Sequence, residues 1–485
     1  MTLKARITAI DRFIKGCRED GIYDDLNACC VMAGWDSLAG ALTPLKGATP
    51  TNSGFIATDY DRGGIGIAGD GTSYINSNRD NSDDGQDDQH LALFVASPSS
   101  DGKVLAGRGL FTDATTIYRI GTYAYFRNRS GSSGARAGAG TSSGFYGSSR
   151  NDSSQFYVRA AESTGAAAIA STGVIGGDIY IFTSNGYAPG SVNTDATLAF
   201  YSIGSSLGSD PATGLAALDA RVSTLMADLR AIEETGFDRD AIAYIRAVEE
   251  ADGAYLETDV KIAVNNLVSG LKADDLWDAI GSSCLLCGPR TLAGALVPLR
   301  GDAPTAEGGW ASGDYDRATG MKGNGTSLYL STGVNNSSFT QDDFHMACYV
   351  TEAGTAGATR WLAGAGGNQT GASEIFTAGN NYQYRNQSSI AGTSSGFADT
   401  LTGLMASSRY EDEFFDFRAG SLSSSSARVS QSPYNDVFHI FKTSYFAATN
   451  GFNGRLAYYS LGSQVDMGTL RTHLDAYLTA IGAAV

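Results

Sequence analysis

The sequence predicts a mainly β fold with helical linkers: two tandem β-sandwich bodies plus amphipathic α-helices. Three observations predict it. The first is a duplication. LAGALTPLKG at 38–47 returns as LAGALVPLRG at 292–301. The offset begins at 292 − 38 = 254 and ends at 456 − 198 = 258, so most of the 485 residues form two copies of one module. Two copies are too few for a solenoid, and each is large enough to carry its own core. The second is composition. There are 61 glycines in 485 residues, well above the usual ~7%, and many Ser, Thr, Asn and Asp lie between short apolar runs. The third is a change of period at the flanks of each body, from strand-like runs to 3–4 spacing.

The elements follow in order. Residues 1–35 read as an N-terminal helical segment, because Leu3, Ile7, Ile10, Ile14 and Cys17 form one stripe. Residues 36–207 read as the first sandwich, with strands such as 91–97, 179–184 and 197–204 and a turn at Gly69-Asp70-Gly71. Residues 208–289 read as a helical connector. In it Leu215, Leu218, Val222, Leu225, Leu229 and Ile232 make a heptad seam. Two more helices are expected near 240–251 and 257–271. Either each helix lies on its own β body, or the seam joins identical chains as a short coiled coil. Residues 290–464 repeat the sandwich, with strands at 344–351, 437–446 and 455–462. Residues 465–485 close the chain as a helix through Leu470, Leu474, Leu478 and Ile481. Each LAGAL segment reads as a joint between a helix and the first strand of a sandwich, with Pro44 or Pro298 ending helical structure.

Charge and cysteine usage exclude several classes. The net charge of −17 lacks the basic footprint that phosphates need, so no nucleic-acid partner is expected. No apolar run reaches the ~18–20 residues of a membrane span, and MTLKARITAIDRF does not read as a signal peptide. The expectation is a chain made in a reducing cytoplasm without export. Of the six cysteines only Cys30 and Cys284 recur at one repeat position, so no disulfide framework repeats with the module. Cys284 and Cys287 have the spacing of half a zinc site, with nothing to complete it. Buried thiols are expected.

GIAGDGTSYI (66–75) and GMKGNGTSLYL (320–330), followed by QDDQHLALFV and QDDFHMACYV, carry a resemblance. With the closing stretch GFNGRLAYYSLGSQVD (451–466), each body resembles the concanavalin A-like, or laminin-G-like, jelly roll. Ala457 stands where the family's closing motif carries Asp, so a family metal site there is not implied. A narrower run, CCVMAGWDSLAGALTPLKGATPT (29–51) and its counterpart from Cys284 to Thr305, is similar to modules of bacteriophage and prophage fibre, spike and virion-surface proteins. That resemblance implies a virion structural protein of fibre or spike type that binds host-surface glycans. It also implies a virion-surface location, other virion proteins as partners and a homo-oligomer, usually a trimer. The alternative is a capsid decoration or architectural protein without glycan binding. A glycan-degrading enzyme is the weak third reading, because no paired carboxylates recur. No enzyme activity is expected.

Candidate sites remain. GTSSG occurs at 140–144 and 392–396, but a nucleophile elbow needs a strand–turn–helix setting and a His partner, and only four His exist. Asp80-x-Ser82-x-Asp84-Gly85 resembles the start of a calcium loop, yet twelve residues in stands Leu91. Asp80, Asp84, Asp87 and Asp88 are therefore the candidate ligands for Ca2+ in the first module; otherwise no cofactor is expected. The Gln-Asp-Asp-x-His element, with Asp87, Asp88 and His90 repeated as Asp342, Asp343 and His345, is better explained as a structural turn. Asp59-Tyr60-Asp61-Arg62 and Asp314-Tyr315-Asp316-Arg317 read as bends locked by Asp–Arg pairs. For glycan binding the candidates are Tyr125, Arg127 and Asn128, set against Tyr384, Arg385 and Asn386, as aromatic stacking beside hydrogen-bonding groups. Loops where the copies differ, such as 76–86 against 331–340, are the expected ligand surface.

Overall fold

A computed structural model describes residues 3–485 except 62–64, 110, 189, 390–393 and 446–449. The chain divides into two compact units. The first holds residues 1–236 and 253–258, and the second holds 237–252 and 259–485. Each is a two-layer, mainly antiparallel β sandwich, as the sequence predicts.

In the first module one sheet runs Ser163–Ala167, Phe156–Ala160, Gly144–Arg150, Gln89–Ser97, Thr197–Gly204, Gly66–Ala68 and Tyr60–Asp61, with Leu26–Val31 also paired to Thr197–Gly204. The facing sheet runs Gly134–Ala137, Tyr123–Ser130, Ala114–Ile120, Val104–Arg108, Asp178–Ile181, Tyr74–Asp80 and Thr51–Ser53. The second module repeats both orders. Burial explains the sequence of the central strand. Leu91, Leu93 and Val95 enter the core between the sheets, whereas Ala92, Phe94 and Ala96 face a second core under the helices. With both faces covered, the strand is a continuous apolar run rather than an alternating one.

That second core settles the heptad seam. Leu215, Leu218, Val222, Leu225 and Leu229 are buried together with Phe13, Cys17, Phe145 and Phe200. The seam lies on its own module's sheet, so the coiled-coil alternative through it is corrected. Its 3–4 spacing records one buried face, which a sheet covers as well as another helix does. The helix Pro211–Glu233 is capped by Asp210, whose side chain accepts from the Ala212 amide, and starts on Pro211. Met467–Ala484 does the same in the second module, capped by Asp466. Two further helices, Arg239–Asp252 and all of Thr258–Ala273 but its first residue, belong to the second module. A buried Lys261–Glu249 ion pair at 3.2 Å joins them. No described helix is long and apolar enough to cross a membrane.

Two further readings change. Leu26–Val31 is a strand inside the stretch expected to be helical (1–35), and Ile280–Leu285 is its counterpart inside the expected connector (208–289). Each LAGAL turn, Leu38–Ala41 or Leu292–Ala295, follows that strand instead of preceding the first one. A six-residue apolar run carries no decisive period. The identical GTSSGF hexapeptides are also not equivalent. The first runs into the strand Gly144–Arg150, while the second lies largely in Ser394–Ala398, the counterpart of Gly134–Ala137. Gly392 and Thr393 fall outside the described residues, as does Arg62.

The structure adds a recurring pin. Arg18 and Lys46 both lie 4.7 Å from the Tyr23 ring. Lys272 and Arg300 lie 5.3 and 4.8 Å from the Trp277 ring. Each module thus fixes a helix end to the segment after its short helix through two cations on one aromatic ring. The six cysteines are free and buried, and burial pushes the thiols of Cys30 and Cys284 up to about 12.

Candidate functional site

Tyr123–Ser130 and Ala114–Ile120 are neighbours in the sheet opposite the one that the helix Pro211–Glu233 covers. Their register sets Tyr118 opposite Tyr125, Ile120 opposite Tyr123 and Thr116 opposite Arg127. Alternation sends Ile117, Ala124 and Phe126 into the core and turns Tyr118, Tyr123, Tyr125 and Arg127 outward. The Tyr118 and Tyr125 rings stack at 5.3 Å, 14° from parallel, and Tyr123 lies 6.0 Å from Tyr125. The Arg127 guanidinium lies 5.1 Å from the Tyr118 ring and 5.7 Å from Phe111. Phe111 is 63% exposed and Tyr123 43%. The Tyr118 hydroxyl donates to Ser133 Oγ at 3.0 Å. Further along the same face Tyr74 and Tyr180 stack at 4.7 Å. The face is a row of rings with hydroxyls and a guanidinium at its rim.

Asn128, next to this row, points the other way. It is fully buried, and its Nδ2 donates across the sandwich to the Gln89 carbonyl at 3.2 Å and to Ser148 Oγ at 3.3 Å. Asn386 makes the same two bonds in the second module, to Phe344 O and Ser407 Oγ. Both are removed from the candidate ligand set, because a buried amide that pins two sheets cannot reach a surface ligand.

Tyr384 and Arg385 are corrected as well. Tyr384 is the counterpart of Phe126 and lies in the core, where its hydroxyl donates to the Arg418 carbonyl at 2.6 Å. The outward counterpart of Tyr125 is Gln383. Setting Tyr125 against Tyr384 was one residue out of register, and in a strand one residue reverses the face. Arg385 does face outward but is 3% exposed. It pairs with Glu374 at 3.2 Å, and Glu374 Oε1 also accepts from Trp361 Nε1 and Thr443 Oγ1. Burial pushes the Glu374 carboxyl up to about 7, although Arg385 pulls it down. Trp361 and Phe376 stack at 5.3 Å and are each 6% exposed. The second module has covered the face that the first leaves open.

The acidic candidates have partners within the protein. Asp80 Oδ1 accepts from the Ser82 amide and hydroxyl, and Oδ2 accepts from the Gly177 amide. Asp84 Oδ1 accepts from Arg79 at 2.6 Å and Asn27 at 3.2 Å. Asp88 Oδ1 accepts from the Ser206 amide and hydroxyl, both at 2.7 Å. Asp87 and Asp342 lend charge to the buried Arg150 and Arg409. Among the described residues no three His, Cys, Asp or Glu converge on a metal position.

His90 and His345 complete a clamp at the start of each central strand. His90 bonds the Ser205 carbonyl and Ser202 Oγ, both at 2.6 Å, and His345 bonds Ser463 and Ser460 in the same way. Burial holds both imidazoles down at about 4. The sequence also left unnoticed the outward row beginning at Tyr118 and Phe111, because ATTIYRI at 114–120 carries no alternating pattern that would mark its outward side.

No known family model matches the chain, and no curated protein sequence matches it. Some solved structures are similar to parts of the chain at low identity and low TM-score. Domains LG4-5 of the mouse laminin alpha1 chain are 8% identical over 85% of this chain and 90% of that one, with a TM-score of 0.23. The CBM40 of the Ruminococcus gnavus IT-sialidase is 12% identical over 28% and 83%, with a TM-score of 0.22. Domain 4 of AbnA, a GH43 extracellular arabinanase from Geobacillus stearothermophilus in complex with arabinotriose, is 16% identical over 40% and 99%, with a TM-score of 0.29. Scores this low carry no weight for function.

Proposed function

We propose that the first module binds a glycan on the row formed by Tyr118, Tyr123 and Tyr125 with Arg127. The observation that carries this reading is the outward row of rings on that sheet face, with Tyr123 exposed and the stacked Tyr118 and Tyr125 half-buried. Such rings offer flat apolar area to the C–H face of a sugar at little entropic cost. Arg127 and the Tyr118 hydroxyl supply directional hydrogen bonds to sugar hydroxyls. The protein acts by binding and not by catalysis. The setting we propose is the surface of a phage or phage-derived particle, as an oligomeric fibre or spike whose ligand is host polysaccharide. The support for that setting is the resemblance of residues 29–51 and 284–305 to virion-surface modules.

A glycan array probed with the intact chain tests the binding. The expected result is a set of bound glycans that disappears with Tyr125→Ala. A blank array with the folded chain would leave the decoration reading in its place.

A further inference from the structure

The peptide Gly253–Thr258 belongs to the first module and packs on it. Its Tyr255 amide donates to the Ala96 carbonyl at 3.2 Å, and the Ser143 amide donates to the Gly253 carbonyl at 3.1 Å. The Tyr255 ring stacks on Phe94 at 6.4 Å, with Arg230 4.9 Å from it on the helix side. The Thr258 amide and hydroxyl donate to Asp61.

The duplication locates the equivalent place in the second module. Gln89–Ser97 and Phe344–Glu352 are both nine-residue strands with His second. Gly144 and Gly403 pair with Val95 and Val350 of those strands. Phe94, Ala96 and Ser143 therefore correspond to Tyr349, Thr351 and Thr402. These three residues, with Arg471, Asp475 and Thr479, line a groove of about 630 Å³.

We propose that this groove is a peptide-binding site, taking an extended segment of a partner protein that carries an aromatic side chain. The guest's backbone meets the strand ends at Thr351 and Thr402, as Gly253–Tyr255 meets Ala96 and Ser143. Its ring stacks on Tyr349, whose hydroxyl donates to Asp475 Oδ1 at 2.6 Å and so fixes the ring. Arg471, paired with Asp475 at 3.0 Å, is a cation in the groove wall. One anchor is not shared. Asp316, the counterpart of Asp61, accepts from its own turn at Ala318 and Thr319. The guest is held by backbone and aromatic contacts, the mixture that extended-peptide sites use.

The probe is a synthetic peptide with the sequence of residues 251–259, ADGAYLETD, titrated onto the intact chain by fluorescence anisotropy. The expected result is saturable binding at one site per chain, weakened roughly tenfold when the peptide's Tyr is replaced by Ala. Thr479 is exposed on its helix, so Thr479→Trp fills the groove without touching the core and abolishes binding. Thr472→Trp, exposed elsewhere on that helix, leaves binding intact. Absence of saturable binding overturns the proposal. So does binding that survives Thr479→Trp, because the peptide would then be displacing Gly253–Thr258 from the first module. Displacement of the peptide by a soluble oligosaccharide also overturns it. Glycan binding rests on the other module and is unaffected by either result.

Discussion

Tyr125 sits at the centre of the ring row, within 6.0 Å of both Tyr118 and Tyr123. Its side chain faces outward, so truncation removes stacking area without opening a cavity. Tyr125→Ala is expected to cost about 1–2 kcal/mol of glycan affinity by calorimetry, with an unchanged melting temperature. Asn128→Ala has the opposite signature. It strips a buried bridge between two sheets and lowers stability by about 1–3 kcal/mol in urea unfolding. These two residues stand three apart in the sequence and read alike there. The strand alternation that separates them needed the register, and a one-residue slip was enough to promote the core Tyr384 over the outward Gln383. Calcium belongs at this scale too. Asp80, Asp84 and Asp88 each accept from protein donors, and among the described residues no three acidic groups converge, so adding calcium or a chelator is expected to leave the melting temperature unchanged. A calcium-dependent rise would restore the ion to the 80–88 loop.

The helix Pro211–Glu233 spends its apolar seam on its own sheet. Leu218→Ala is expected to cost about 2–5 kcal/mol, by an amount independent of protein concentration. A concentration-dependent loss would mean that the seam joins chains. Spacing alone could reveal the stripe, but which surface covers a stripe is a tertiary fact. The histidine clamps at the central strands set a pH dependence. Folded His90 and His345 stay neutral down to about 4, whereas unfolded histidine takes up its proton near ~6.5. The unfolded state therefore binds more protons in that window. Stability is full above ~6.5 and falls as pH drops toward 4, by up to about 3 kcal/mol per clamp. Glu374 opposes this. Its folded carboxyl holds a proton up to about 7, so its contribution is present below the ordinary carboxylate range and fades as pH rises through 7. Urea midpoints between pH 4 and 8 that show no decline below 6.5 would contradict the clamp.

At the scale of the whole molecule, one fold appears twice with its open face used differently. The duplication, the two sandwiches and the flanking helices were legible because they rest on long repeats and periodic burial. The asymmetry was not. It depends on Glu374 standing where the first module has Thr116, and Gln383 where it has Tyr125. A buried ion pair under Trp361 and Phe376 closes what three tyrosines leave open. The central claim is that glycan recognition belongs to the first module's ring row. Calorimetry of a bound array glycan tests it most directly, comparing the intact chain with a Tyr123→Ala, Tyr125→Ala double variant and with Gln383→Ala. The account predicts that the double variant loses binding while remaining folded and that Gln383→Ala binds as the intact chain does. Full affinity in the double variant would contradict it.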